Sequence, residues 1–349
     1  MTAATEANAA PGELAEEALE QERLGRWDEA ARLYSLAFRA SLLAGDLEHA
    51  ADSLRGQARV RQEERRFDEA EELAELSREI AERAGLSRSA ARAVNVLGLI
   101  RYARGDWAGA RAYYQRAIEL ALDTGDDDLA GLAFQNAGII ANIVGDRRES
   151  RTLYLESIGS FVRSGNSANA MLAYNNLGIV CADLREWLEA EVYFGRGIEI
   201  AERLSSSPVL ARLCANLAEP LIHMGETERA VATLERAEAI AHTVHDTVAL
   251  SEVWRYRALM ARLAGRLDEA ERHVAKALEV ARVPGLRLET AEALRELGEL
   301  RRAEGRGADA LAALLEARDI FASLGAEHDV RVVEELLAGL EGEEPRSSA

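Results

Sequence analysis

Cysteine is nearly absent. Cys181 and Cys214 are the only two in 349 residues, too few for a disulfide framework. Proline is also scarce, with 5 in the chain, which leaves little room for proline-rich linkers. No apolar run reaches the length of a membrane span. The first residues, MTAATEANAAPGEL, hold no basic segment and no long apolar core, so they do not read as a secretory signal. A surplus of basic residues is missing too. The formal net charge is −19, and a phosphate-backbone binder needs a basic footprint. No glycine-rich phosphate loop of the form G-x-x-x-x-G-K-S occurs. These absences point to a reduced, cytoplasmic protein that neither inserts in membranes nor binds nucleic acid.

What the chain does have is a strict internal period. Stepping by 40 from Ala30 gives Ala70, Ala110, Ser150, Ala190, Ala230, Ala270 and Ala310. The same step from Ala18 gives Ala58, Gly98, Gly138, Gly178, Ala218, Ala258 and Gly298. A third column runs Ala37, Ser77, Ala117, Ser157, Gly197, Ala237, Ala277 and Ala317. None of these positions holds a side chain larger than serine. Two helices approach closely only where both carry short side chains, because overpacking costs ~1–3 kcal/mol.

Glycine punctuates the same period. Gly25, Gly105, Gly145, Gly225, Gly265 and Gly305 end the first helix of their repeats, with Arg65 and Arg185 in the remaining two. Gly45, Gly85, Gly125, Gly165, Gly285 and Gly325 end the second helix, with Ser205 and His245 as exceptions. Glycine just past a helix end takes the left-handed conformation without a Cβ clash. A large apolar residue often follows the first turn, as at Trp27, Phe67, Trp107, Trp187 and Leu267.

The spacing read at Leu97-Gly98, Gly105, Trp107, Ala110 and Ala117 resembles the tetratricopeptide repeat. That repeat usually has 34 residues; here the period is 40. The long variant is similar to the arrays of kinesin light chains, polarity adaptors and bacterial peptide sensors. Departures fall at Gln57, Arg257 and Ala137, where the family's leucine is expected. The resemblance implies an all-α fold: a right-handed superhelical α-solenoid of eight helix-turn-helix repeats over 12–327. A capping helix is expected over 328–340, between disordered ends at 1–11 and 341–349. Pro220 falls inside a first helix and is expected to kink it. A solenoid needs no division into globular domains, because each repeat contacts only its neighbours.

Catalytic chemistry finds little support. His242 and His245 share one side of a helix at a spacing of three, but the second sits at a helix-ending position with no third ligand beside them. They read as a polar helix terminus. His49, His223, His273 and His328 are scattered and receive no role. Neighbouring carboxylates such as Glu16-Glu17 read as solvated faces. Neither a metal nor a cofactor is expected, and no enzymatic activity.

The resemblance places the first helix of each repeat on a concave face. In that register stand Asn95, Gln135, Asn136, Asn175, Asn176 and Asn216, with Asn142 further along. Asparagine is a mediocre helix former, so its recurrence on one face needs a reason. An amide offers a donor and an acceptor, so a row of them pairs with an extended peptide backbone. The other reading has Asn136, Asn176 and Asn216 bonding between neighbouring helices; ligand contact is favoured for Asn95, Asn142 and Asn175. Tyr102 and Ile139 are expected to supply apolar contacts. Arginine flanks the amides at Arg55, Arg59, Arg255, Arg262, Arg295 and Arg302. It suits an acidic side chain or a C-terminal carboxylate, or else pairs within the groove with Glu252, Glu292 and Glu299. The expected function is a non-enzymatic scaffold holding a protein or peptide segment in the groove of repeats three to six. The alternative is a peptide-responsive regulator of a separate output protein, since no output domain fits before residue 12. Oligomeric state is open.

Overall fold

The computed structural model describes residues 9–283 and 285–343, and side chains as far as 340. Its described residues form seventeen helices and no strand. The first helices of the repeats are α1 (Pro11–Arg23), α3 (Leu47–Glu63), α5 (Ser87–Ala103), α7 (Asp127–Ile143), α9 (Ser167–Asp183), α11 (Ser207–His223), α13 (Thr247–Leu263) and α15 (Arg287–Ala303). The second helices are α2 (Trp27–Ala44), α4 (Phe67–Arg83), α6 (Trp107–Thr124), α8 (Arg147–Ser164), α10 (Trp187–Arg203), α12 (Thr227–Val244), α14 (Leu267–Ala281) and α16 (Gly307–Ser323). A last helix, α17 (Glu327–Glu343), follows in the phase of a first helix. It is longer at its C-terminal end than the expected 328–340, so Glu341–Glu343 are helical; the rest of the expected disordered tail, and residues 1–8, lie outside the described residues. Helix α11 runs through Pro220 without a break in its assignment.

Two compact units can be distinguished. Among the described residues, one comprises 9–140 with 159–164, the other 141–158 with 165–343. Within each unit the same local rules build the hairpins. At the end of α2 the Gly45 N–H donates to the Leu42 carbonyl and the Asp46 N–H to the Ser41 carbonyl. This pair of bonds closes the helix through a left-handed residue. The same pair recurs at Arg65, where the N–H of Arg65 meets the Gln62 carbonyl and that of Arg66 meets Arg61. Arg65, Arg185, Ser205 and His245 hold φ between 53° and 60°, so the repeat imposes the glycine conformation where the sequence lacks glycine. Where Asp or Asn follows the turn, its side chain caps the next helix. Asp46 accepts from the His49 N–H at 3.1 Å, and Asn166 from the Asn169 N–H at 3.0 Å. Such caps contribute ~1 kcal/mol each.

The small-residue columns form the seam between helices. Ala30, Ala70, Ala110, Ser150, Ala190, Ala230, Ala270 and Ala310 are completely buried. Their lack of bulk leaves room for a large residue on the second helix. The Tyr114 ring lies over Gly98, and a Cβ built on that glycine would sit 2.6 Å from it. Gly298 faces Leu314 in the same way. Where the column carries alanine, the opposing residue shrinks: Ala58 clusters with Ala74, and Ala258 with Val274. Tyr34 beside Ala18 and Leu234 beside Ala218 do not follow this. Trp27 and Phe67 pack against such clusters half-buried, as their place after the turn suggests. Within a unit, first helices also touch the first helix of the next repeat, as α3 touches α5 and α13 touches α15. The result in each unit is a continuous face of first helices.

Candidate functional site

In both units, first helices supply most of a concavity's lining. Steps of three and four residues along a helix share a face, and the period of 40 repeats that face on the next helix.

The first unit holds a cavity of about 450 Å³ between α3, α5 and α7. Its polar lining is Arg55, Arg59, Arg92, Asn95, Asp128 and Asn136; Val96, Leu99, Leu129 and Leu132 supply the apolar part. Asn95 is buried, and its side-chain oxygen accepts from Nδ2 of Asn136 at 3.5 Å. Arg59 makes two bonds to the Glu22 carboxylate at 2.8 Å and one to the Tyr34 hydroxyl at 3.1 Å. Burial opposes the charge on Arg59, but Glu22 outweighs it and holds its pKa above the ordinary value. Arg92 donates to Asp126 at 3.1 Å. Arg55 donates to Asp52 at 2.9 Å, while its Nε is buried without a partner. Gln135 stands half-buried on α7, its Oε1 buried and unpartnered. Ile139 is half-buried on the same helix. Tyr102 is exposed in the last turn of α5 and packs against Trp107 with ring centres 5.3 Å apart.

The second unit holds a chamber of about 440 Å³, lined mainly by α11, α13, α15 and α17. Ion pairs between successive first helices dominate it. Arg255 reaches Glu292 at 3.1 Å. Arg262 reaches Glu296 at 2.6 Å and Glu299 at 3.1 Å, and Arg295 reaches Asp329 at 3.2 Å. The pairing expected within the groove is therefore present for Arg255 and Arg262, and Glu292 and Glu299 are among the partners. Glu252 is not so served. Burial, aided by Glu292, pushes its carboxyl up to about 8, and its Oε2 is buried without a partner. Burial likewise pushes Asp183 up to about 7 against the pull of Arg147, which lies 2.9 Å away. His328, on α17, is held down to about 4 by burial and by Arg147, Arg331 and Arg295.

The amides of the second unit also have intramolecular partners. Nδ2 of Asn216, which is buried, donates to the side-chain oxygen of Asn175 at 3.2 Å. Arg147 donates to the backbone carbonyl of Asn142 at 2.7 Å and to its side-chain oxygen. Asn176 is half-buried on α9. The bonding between neighbouring helices expected of Asn136 and Asn216 is thus seen, and it draws in Asn95 and Asn175 as acceptors.

Several residues of the chamber escape a reading by type. His223 stacks on Trp187 with ring centres 4.3 Å apart and planes 11° apart. Asp183 and His223 stand forty residues apart in a column that also holds Arg23, Glu63, Ala103, Ile143, Leu263 and Ala303. Half of that column is polar, so nothing in the period alone singles the two out. Cys181 and Cys214 are buried, and burial raises their thiols to about 12 and about 11, so neither is a ready nucleophile.

The architecture is an α-solenoid of helical hairpins, a class whose stacked repeats form extended binding surfaces. Tetratricopeptide-repeat models match residues 169–242, 249–333 and 93–128. The chain belongs to the tetratricopeptide-repeat family, whose members are in general non-enzymatic protein-interaction scaffolds. No curated protein sequence matches it significantly. Among solved structures, it is similar to a tetratricopeptide repeat protein from Parabacteroides merdae, with 15% identity, TM-score 0.60, and 83% of this chain covering 98% of that one. It is similar to the apo quorum sensor NprR from B. thuringiensis, with 13% identity, TM-score 0.57, and coverage of 95% and 98%. It is also similar to the Rap conjugation gene regulator of plasmid pLS20 in complex with the Phr* peptide, with 16% identity, TM-score 0.56, and coverage of 93% and 96%. No described helix is long and apolar enough to cross a membrane.

Proposed function

We propose that this chain is an adaptor that holds an extended segment of a partner protein against its first-helix face. The observation that carries the reading is the cavity between α3, α5 and α7, which is lined by first helices alone. Its mixture of apolar side chains with guanidinium and amide groups fits an extended peptide, whose side chains and backbone need both. The Phr* complex of the similar Rap regulator supports a peptide ligand on this fold. The amides Asn95, Asn136, Asn175 and Asn216 have a double task in this reading: they bridge neighbouring first helices and keep capacity for a ligand, since an amide side chain carries two donor hydrogens and two acceptor sites. Gln135, Tyr102 and Ile139 complete the proposed contact face of the first unit; in the second, Asn142 and Asn176 stand on the first-helix face of that unit with Arg255, Arg262 and Arg295.

A photo-crosslinking amino acid tests this. Placed at Leu99, on the cavity wall, it captures the partner in the native host; placed at Leu122, exposed on the second helix α6, it does not. Capture from Leu122 with none from Leu99 would contradict the reading.

A further inference from the structure

The two first-helix faces use arginine differently. In the second unit, Arg262 is shared by two carboxylates, and Arg255 and Arg295 each have one on the next first helix. Each of these guanidiniums already has a carboxylate within the fold, which a partner's would have to share. In the first unit, Arg55 makes one hydrogen bond, to Asp52 on its own helix, and Arg92 makes one, to Asp126. A guanidinium has five N–H donors; the Nε of Arg55 is buried without an acceptor, and Arg92, its side chain 39% exposed, keeps donors free of protein acceptors. The charge balance agrees with the bond count. Burial lowers the Arg55 pKa below its ordinary value; Asp52 opposes this, while Arg59 and Arg92 add their repulsion. By contrast, carboxylate partners lift Arg59, Arg255, Arg262 and Arg295 despite their burial. The cavity wall itself carries three guanidiniums and one carboxylate, Asp128, while Asp52, Glu22 and Asp126 each answer one arginine from outside the lining. Val96, Leu99 and Leu132 line the same cavity.

We infer that the cavity between α3, α5 and α7 takes a carboxylate of the partner segment, bound by Arg55 and Arg92, with an adjacent apolar side chain seated on Val96, Leu99 and Leu132. The partner is thus an acidic, extended segment of another protein. This rests on the adaptor reading above and adds the chemistry it selects. Charge complementarity favours that occupant, because a carboxylate supplies the acceptors that Arg55 and Arg92 lack. Asp128, also on the wall, limits the net attraction to one or two carboxylates rather than an acidic run.

The test is selection of the full chain against randomised decapeptides on beads, one library ending in a free carboxylate and one in an amide. Selected peptides are expected to be enriched in Asp or Glu next to an apolar residue. Enrichment in both libraries assigns the carboxylate to a side chain, and enrichment confined to the free-acid library assigns it to a chain terminus. Arg55→Gln and Arg92→Gln, each shown by circular dichroism to retain its helicity, should each weaken the selected acidic peptide about tenfold or more, as expected for a lost charge-assisted bond. The Asn or Gln counterpart of that peptide should bind both variants as it binds the parent. Selected peptides without acidic preference would overturn the inference and leave the adaptor reading intact. So would an acidic preference unchanged in both variants, which would put the recognition elsewhere. Self-association that Arg55→Gln abolishes would seat a second copy in the cavity and also overturn it. Selection of no peptide at all would remove the adaptor reading as well.

Discussion

The ring of Phe194 on α10 lies across Gly178 on α9, so that a Cβ built on the glycine would sit 2.5 Å from the ring. A side chain at Gly178 must displace a fully buried aromatic. Gly195 lies on α10 itself, and a Cβ there meets nothing within 4 Å. The same substitution should therefore have opposite signs at the two sites. Gly195→Ala should stabilise by about 0.5–1 kcal/mol, the ordinary helix gain. Gly178→Ala should destabilise by about 1–3 kcal/mol net through overpacking, and Gly178→Leu by more. Thermal melts of the three variants check this; a higher melting temperature for Gly178→Ala would refute the assigned seam.

Ser205 stands in the left-handed conformation at φ 53°, where most repeats place glycine. A residue with a Cβ is disfavoured there by roughly 1 kcal/mol or more. Ser205→Gly should raise the melting temperature, and Gly265→Ser, at φ 72°, should lower it by a similar amount. Equal melting temperatures for both variants and the parent would mean that the turn relaxes around its residue.

Asn216→Ala should cost about 1 kcal/mol of stability, because it removes the donor that Asn175 accepts between α9 and α11. The loss is expected in chemical denaturation of the unliganded chain. An unchanged midpoint would assign the pair to ligand contact alone.

Glu252 gives the chain a pH signature. Its carboxyl titrates near 8 when folded against 4.5 ordinarily. Between those values the folded chain holds a proton that the unfolded chain has released, so this group's contribution makes stability fall as pH rises through that window. It has no effect below about 4.5, where both states are protonated. Glu252→Gln should therefore melt close to the parent near about pH 4.5 and above it near about pH 9. A parent and variant offset by the same amount at both values would rule out the shifted titration.

Much of this was legible in the sequence, and for one reason: the period of 40 makes each residue's neighbour on the next first helix computable. Asn216 meets Asn175 at a separation of 41, and Arg262 meets Glu296 at 34. The first is one period plus a single residue, the second one period less nearly two turns of helix. Contacts that span many repeats follow no such rule. The guanidinium of Arg331 lies against Gly145 in the second unit, and His328 feels Arg147. Those meetings depend on the accumulated rotation of one hairpin on the next, which no single column encodes. The depth of the amides was hidden for a related reason. Asn95 and Gln135 share a column, yet Asn95 is buried and bonded while Gln135 is half-buried with an unpartnered oxygen. The difference lies in the neighbours each happens to face.

The ion pairs of the second unit join α13 to α15 and α15 to α17. Excising 287–326 would keep every hairpin in phase, because a whole period is removed. It would also bring Val332 to the place of Glu292 and Leu336 to the place of Glu296. Arg255 and Arg262 would then confront aliphatic side chains with no acceptor to offer. Backbone geometry alone would let the modules be shuffled freely; it is the sign of a few side chains that makes their sequence order irreplaceable.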